Sequence, residues 1–308
     1  MKKFLGYIRL MRPANVVTAV ADVLAGTAIA GYFIPTVVYS GGFWWGELPP
    51  NTFSAAAVLI LCLSTIGLYS GGIILNDVFD AELDKIERPE RPIPSGLISR
   101  NAAAVFGGIF FFIGVFAAGL YSKEAQYLAI AIMVSCLVYD KYLKHHSFFG
   151  PLNMGLCRGF NLLLGISIVS GQVQQLWYLA VIPVLYIAAI TMISRGEVHG
   201  GSRHVLYFAA SLYLLVIGAI AAFGIRNAQV VPTLIFLGIF AVMIFIPLFK
   251  ALKNPTGPNI GKAVKSGVIA LILMNAAWAS AFGVWHVAIL ISLLLPLSLV
   301  LSKAFAVT

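Results

Sequence analysis

The 308-residue sequence predicts an all-α, polytopic membrane protein: a helical bundle of nine or ten transmembrane spans. Three features carry the prediction. Hydrophobic residues make up 60% of the chain, charged residues only 10%, and mean hydropathy is +0.96. A soluble domain carries about 25% charged residues, so most of this surface must meet lipid. The apolar residues also come in unbroken runs of roughly the 20 residues a helix needs to cross a bilayer, without the alternation of barrel strands. Finally, the Lys and Arg residues gather on alternate connections. The net charge of +9 follows from that topology, so the expected partner is the lipid bilayer and not nucleic acid.

Taken in order, the apolar runs lie near 14–34, 53–75, 101–121, 124–140, 150–170, 176–194, 204–224, 230–249 and 264–302. The last, as one helix, would be ~58 Å long at 1.5 Å per residue, nearly twice the hydrocarbon thickness. A break is expected near Gly283-Val284-Trp285-His286, and it separates a count of nine from ten. Of the 20 basic residues, 18 are assigned to one side, and only Lys123 and Arg226 to the other. That asymmetry places the N-terminus in the cytoplasm. The first run has no evident cleavage site and reads as a retained helix. Loop 35–52 is outer, with Phe43, Trp44 and Trp45 as interfacial anchors. Cys62, Cys136 and Cys157 have neither zinc nor disulfide spacing and read as reduced packing residues.

The polar chemistry begins where the second run ends, in Asn76-Asp77-Val78-Phe79-Asp80-Ala81-Glu82-Leu83-Asp84. Asn76, Asp80 and Asp84 are spaced i, i+4, i+8 and share one helical face. Two carboxylates and a carboxamide in that column repel unless a cation sits between them. All are hard oxygen ligands, which suits Mg²⁺ with a phosphate-bearing substrate. Asp77 and Glu82 point elsewhere and read as solvated. The plainer alternative for the whole segment is a charged cap on a membrane helix. The following stretch, Lys85 to Gly96, weighs against that, because it sets Arg88 and Arg91 on a proline-stiffened loop beside the acids. Arginine offers a fork to phosphate oxygens, and metal ligands followed by phosphate ligands describe a diphosphate site.

Asn76-Asp77-x-x-Asp80-x-x-x-Asp84, followed by Arg91-Pro92-Ile93-Pro94-Ser95-Gly96, resembles the first aspartate-rich motif of the UbiA-type intramembrane prenyltransferases. Arg12-Pro13-x-Asn15 resembles that family's opening, and Tyr139-Asp140-Lys141-Tyr142-Leu143-Lys144 its Tyr-x-x-x-Leu-Lys element. The resemblance covers essentially the whole chain, 1–308. It implies one bundle of about nine helices around a central cavity. It also implies Mg²⁺-dependent transfer of a prenyl group from a prenyl diphosphate to an aromatic or other lipophilic acceptor. Carried onto this sequence, Asn76, Asp80 and Asp84 hold the metal, and Arg91 and Lys144 bind phosphate, assisted by Arg12, Lys141 and Arg195. Asn15 lies at the substrate, and Tyr139 shields the developing allylic cation with its ring face.

The resemblance fails at the second Asp-x-x-x-Asp motif. The matching stretch reads Ser194-Arg195-Gly196-Glu197-Val198-His199-Gly200-Gly201. Glu197 stands at the first Asp as a fourth metal ligand and Gly201 at the second. If that loss disables a second metal, Gly201→Asp is expected to strengthen Mg²⁺-dependent diphosphate binding. His199 and His204 read as loop histidines, since imidazole suits transition metals better than Mg²⁺. This combination also resembles the EboC-like branch of the superfamily. Inside the spans, Asp22 lies ~15 Å up a helix from Arg12, deep enough to be a functional candidate, with Arg158 as a partner at the substrate. Asn153, Asn161 and Asn275 read mainly as contacts between helices. A binding or transport protein for a small lipid-like metabolite is the competing reading. It explains Asp22 and the missing carboxylate but not the complete first motif.

Overall fold

The computed structural model describes residues 2–34, 41–43, 46–48, 53–198 and 200–305. Trp44, Trp45 and His199 lie outside these, as does the side chain of Phe43, so the anchor expectation and that for His199 fall there; His204, expected in a loop, is instead exposed in the first turn of the helix Arg203–Arg226. The elements in order are α1 (Lys2–Met11), α2 (Pro13–Ile29), β1 (Gly41–Phe43), β2 (Gly46–Leu48), α3 (Ala55–Phe79), α4 (Ala81–Glu87), α5 (Arg100–Tyr121) and α6 (Lys123–Val138). After a π turn (Tyr139–Leu143) come α7 (Phe149–Ile166), α8 (Gln172–Leu176), a 3₁₀ turn (Trp177–Ala180), α9 (Val181–Ser194), α10 (Arg203–Arg226), α11 (Val230–Lys253), α12 (Gly257–Ala281), α13 (Trp285–Ser292) and α14 (Leu294–Ala304). The protein is helical as expected. Among the described residues the one departure is the short antiparallel β1–β2 pair in the 35–52 loop, with Gly41 opposite Leu48.

Among the described residues, seven segments are long and apolar enough to cross a membrane: α3, α5, Gln172–Ser194, α10, α11, α12 and Trp285–Ala304. Helices α2, α6 and α7 are shorter, at 17, 16 and 18 residues. Helices α2, α7 and α12 form the centre of the bundle, while α10 and α11 turn large apolar side chains such as Leu214, Ile235 and Val242 outward. An apolar exterior needs a lipid solvent. The expected break is present: α12 ends at Ala281, Gly283 takes φ +83°, and α13 starts at Trp285. The returning α14 brings its end back to the start of α2 and α12. Ser298 Oγ donates to the Ala14 carbonyl (3.0 Å) and Lys265 Nζ to the Ser302 carbonyl (3.1 Å).

Three local features set up the site. First, α2 and α7 touch backbone to backbone. A Cβ on Gly26 would lie 2.3 Å from the Leu162 carbonyl, and one on Gly165 2.3 Å from the Val23 carbonyl, so only glycine fits. That contact draws Asp22 and Asn161, each one turn earlier, toward each other. Second, Arg12 joins α1 to α2 with φ 45° and ψ 66°. Left-handed backbone is costly for a non-glycine residue, and Pro13 adds its own restriction. The sharp corner aims the Arg12 side chain at the end of α3. Third, the π turn closes Lys144 N–H onto the Tyr139 carbonyl (2.9 Å). Five residues apart on an α-helix are ~140° apart, but the wider turn brings both side chains to one cavity.

Candidate active site

A cavity of about 260 Å³ opens among α2, α3, α6 and α7. Its polar lining is Arg12, Asn15, Thr65, Tyr69, Asn76, Tyr139, Asp140, Lys144 and Asn161; Leu68, Ile73, Ile132 and Met154 supply apolar wall. The residues Arg12, Asn15, Asn76, Tyr139 and Lys144, all expected at the substrate, therefore meet in one place.

The acidic segment keeps helical spacing through the α3–α4 junction. Asp80 N–H donates to the Asn76 carbonyl (2.9 Å) and Asp84 N–H to the Asp80 carbonyl (2.8 Å). The three side chains then diverge. Asn76 Nδ2 donates to Asp140 Oδ1 (2.7 Å), Asp80 forms an ion pair with Lys144, and Asp84 Oδ2 accepts from Arg91 Nη1 (2.7 Å). Of the three, only Asn76 lines the cavity, so the expectation of a single cavity-facing triad is corrected: Asp80 and Asp84 are drawn to different cations on its rim. Asp77 also departs from expectation. It is buried, and its Oδ1 takes Arg12 Nη2 at 2.7 Å and Arg91 Nη1 at 3.3 Å. Seven residues separate Asp77 from Asp84, two helical turns, which was the available signal for a shared face. Glu82 is exposed and paired with Lys85, as a solvated residue should be.

Glu197 reaches the same cationic group. Its Oε2 lies 3.7 Å from Arg88 Nη2, while its Oε1 is buried with no partner among the described residues. Burial raises the Glu197 carboxyl above its usual range, against the opposing pull of Arg88, Arg12 and Arg91. Burial likewise lowers the Arg12 guanidinium; Asp77 counters this, and Arg91 and Arg88 add to it. Arg91 Nη2 is a second buried atom without a partner among the described residues. Gly201 is not with Glu197. The chain leaves helix at Ser194, Gly200 takes φ +84°, and a Cβ on Gly201 would meet Ile260 Cδ1 at 2.8 Å. Gly201 lines a separate hollow with Met192, Ile193 and Leu206, so a carboxylate there would not continue the face that carries Glu197.

Two expected substrate contacts are engaged elsewhere. Lys141 is exposed, with its ammonium 5.0 Å from the ring centroid of its neighbour Tyr142, because the π turn rotates it off the cavity. Arg195 donates to the carbonyls of His146 (2.5 Å) and Ser147 (3.3 Å), so it clamps the turn after Lys144. Asp22 and Arg158 are buried beneath the cavity and do pair, Nη1 to Oδ2 at 2.5 Å. Arg158 is thus a core residue, not a loop charge. Asn153 donates from α7 to the Ser135 carbonyl of α6 (2.7 Å), a helix–helix contact as expected. Cys136 and Cys157 face each other across the cavity wall, Sγ to Sγ 3.8 Å, as free thiols.

Asn76, Asp80, Asp84 and Glu197 offer only oxygen donors, the set Mg²⁺ takes, and the unpartnered Glu197 Oε1 fits such a role. Among the described residues no three His, Cys, Asp or Glu side chains are gathered into one metal-binding group. Asp80, Asp84 and Glu197 are instead paired with Lys144, Arg91 and Arg88, and Asn76 with Asp140.

Fold and rim define a class: a polytopic helical bundle with an interior cavity beneath interleaved carboxylates and cations. The chain belongs to the UbiA prenyltransferase family, whose model matches residues 33–259. It is 28% identical over 279 residues to the digeranylgeranylglyceryl phosphate synthase of Thermococcus sibiricus, covering 87% of this chain and 93% of that one. Identity is also 28% over 297 residues to the enzyme of the same name from Methanoculleus marisnigri, covering 92% and 98%. In fold it is similar to a UbiA homologue from Archaeoglobus fulgidus bound to GPP and Mg²⁺ (TM-score 0.61, 14% identity, 91% of this chain and 99% of that one). A UbiA homologue from Aeropyrum pernix K1 gives TM-score 0.66 at 13% identity, covering 85% and 96%.

Proposed function

We propose that this chain transfers a prenyl group from a prenyl diphosphate to the hydroxyl of a lipophilic acceptor, with Mg²⁺ as cofactor. The observation that carries this reading is the alternation of charge on the cavity rim. Asp77, Asp80, Asp84 and Glu197 are interleaved with Arg12, Lys144, Arg91 and Arg88. Four negative and four positive groups suit a ligand that itself carries both signs. Arg91, Arg12 and Lys144 turn to phosphate oxygens, and Asp80, Asp84, Asn76 and Glu197 turn to the cation. Asp77 keeps its hold on Arg12 and Arg91, and the ligand's own two signs offset the partners that Asp80, Asp84 and Lys144 give up. Bound Mg²⁺ supplies neutralisation of the leaving diphosphate.

In the transfer, the allylic carbon–oxygen bond breaks and its electron pair leaves on the diphosphate. A new carbon–oxygen bond forms to the acceptor, whose hydroxyl proton leaves on a diphosphate oxygen. Lys144 and Arg12 stabilise the departing charge, the Tyr139 ring faces the electron-poor carbon, and Leu68, Ile73, Ile132 and Met154 keep water away. The relatives' name supports a lipid alcohol over an aromatic ring as acceptor, since it describes a product with two geranylgeranyl chains on glyceryl phosphate. The basic end of the bundle, with the rim and the N-terminus, faces the cytoplasm.

Titration calorimetry with a non-hydrolysable prenyl thiolodiphosphate tests the donor site. Binding is expected with Mg²⁺, and to be lost with EDTA and in Asp80→Asn/Asp84→Asn. Binding that ignores both Mg²⁺ and the two aspartates contradicts the reading.

A further inference from the structure

The floor of the cavity is as organised as its rim. One face of α3 presents Thr65, Tyr69, Gly72 and Asn76 to the cavity in succession. Tyr69 lies seven residues, ~10 Å of helix, below the rim residue Asn76. Behind it sits the buried pair of Asp22 and Arg158. Asp22 takes Arg158 Nη1 (2.5 Å) and Asn161 Nδ2 (2.9 Å) on Oδ2 and Asn275 Nδ2 (2.7 Å) on Oδ1. Arg158 Nη2 donates to Thr18 Oγ1 (2.6 Å) and to the Tyr69 hydroxyl (2.9 Å), with its Cζ 4.6 Å from the Tyr69 ring centroid. Thr65 Oγ1 donates to Asn161 Oδ1 (2.7 Å).

Two hydrogen-bonding functions of these residues stay open toward the cavity. The Tyr69 oxygen accepts from Arg158, but its own hydrogen meets no acceptor among the described residues. The Thr65 hydrogen is committed to Asn161, but its oxygen lone pairs are not. Asp22 and Arg158 cancel in charge, Asp22 already holds three donors, and the Arg158 guanidinium is covered by Asp22, Thr18 and Tyr69. Among the described residues the floor therefore offers no unpaired charge to a carboxylate or phosphate. Among the described residues, Tyr69 offers a donor and Thr65 an acceptor, one turn apart, in a neutral setting. A hydroxyl group, which accepts with its oxygen and donates its hydrogen, matches both. A carbon nucleophile would leave the Tyr69 hydrogen unsatisfied in an apolar cavity, which is costly.

We propose that Tyr69 and Thr65 form the subsite for the acceptor's hydroxyl, selecting a hydroxyl over a carboxylate or phosphate at that point, and that Asp22, Arg158 and Asn161 are positioning residues behind them. In the bound state Tyr69 donates to the acceptor oxygen, Thr65 accepts its hydrogen, and the remaining lone pair points up toward the diphosphate end; as the new bond forms, the hydroxyl hydrogen turns from Thr65 and leaves on a diphosphate oxygen. Arg158, already hydrogen-bonded to Tyr69, fixes its rotation and polarises its O–H. This rests on the transferase reading above.

The test uses the full chain in nanodiscs with geranylgeranyl diphosphate, Mg²⁺ and either geranylgeranylglyceryl phosphate or its deoxy analogue lacking the free hydroxyl. The deoxy compound should compete well against Tyr69→Phe/Thr65→Val but poorly against wild type. In that double variant the acceptor KM should rise about tenfold or more, the change expected when hydrogen bonds worth about 1.4 kcal/mol are lost. Affinity for the prenyl thiolodiphosphate should stay unchanged, which a merely unfolded or loosened protein would not show. Arg158→Lys, which keeps the charge but not the fork, should raise acceptor KM in the same way. Unchanged acceptor KM and deoxy discrimination in the double variant overturn the subsite while leaving the transferase reading intact. A wild type that binds the donor analogue but transfers to neither an alcohol nor a phenol overturns both.

Discussion

Arg91 Nη1 sits 2.7 Å from Asp84 Oδ2, while Nη2 of the same guanidinium is buried with no partner among the described residues. One nitrogen of the guanidinium is thus held by Asp84 and Asp77, and Nη2 is available. Arg91→Lys should weaken binding of a prenyl thiolodiphosphate by about tenfold or more, because an ammonium lacks the planar fork. Arg91→Ala should cost at least as much. Calorimetry in the presence of Mg²⁺ reads both; wild-type affinity in either variant would remove Arg91 from the phosphate contacts.

Asp77 joins Arg12 to Arg91. Removing its charge leaves two largely buried guanidiniums facing each other, and breaking a buried pair costs about 3–5 kcal/mol. Asp77→Asn should therefore lower the thermal midpoint markedly, whereas Glu82→Gln, which alters an exposed pair, should leave it within error. Equal midpoints for the two variants would show that Asp77 is not structural in this way.

Much of the molecule was legible in the sequence because lipid imposes a simple rule. Apolar runs gave the spans, and the excess length of the last one placed the break at Gly283. The column Asn76, Asp80, Asp84 was legible because helical spacing continues through the α3–α4 junction. Asp77 was missed because the i+4 ladder drew attention away from the two-turn spacing to Asp84, and Tyr69 because its two-turn spacing to Asn76 falls within an apolar run. Lys141 and Arg195 were over-read. Nearness in sequence to a motif does not say where a long side chain ends, and the π turn that turns Lys141 away has no spacing signature. The left-handed backbone at Arg12 was likewise hidden, because it goes with α1 turning to seat Leu10 beside Ile74 and Val78 of α3 and not with a glycine.

The altered second motif gives a prediction of opposite sign to the one its alignment suggests. Gly201 faces Ile260, away from the rim, while Glu197 carries an unpartnered buried oxygen among arginines. Glu197→Gln should weaken Mg²⁺-dependent binding of the thiolodiphosphate, and Gly201→Asp should not strengthen it. Mg²⁺ titrations of the two variants decide the matter: tighter binding in Gly201→Asp would restore the two-carboxylate motif as the relevant geometry.

Cys136 and Cys157 line the cavity with their sulfurs 3.8 Å apart, so a disulfide of ~2.05 Å needs only a small approach. Mild copper–phenanthroline treatment should link them and leave Cys62 as a thiol, as read by peptide mass. Prior binding of the prenyl thiolodiphosphate should slow maleimide labelling of both cysteines. Labelling at an unchanged rate would place the ligand outside this cavity.

The most direct measurement of the central claim is product formation. The purified chain in nanodiscs, given geranylgeranyl diphosphate, geranylgeranylglyceryl phosphate and Mg²⁺, should yield the doubly prenylated lipid and inorganic diphosphate in equal amounts by mass spectrometry and phosphate assay. EDTA, Asp84→Asn and Lys144→Ala should each abolish or strongly reduce both products. Undiminished product in EDTA and in Asp84→Asn, or donor binding without any Mg²⁺-dependent product from alcohol acceptors, would contradict the account.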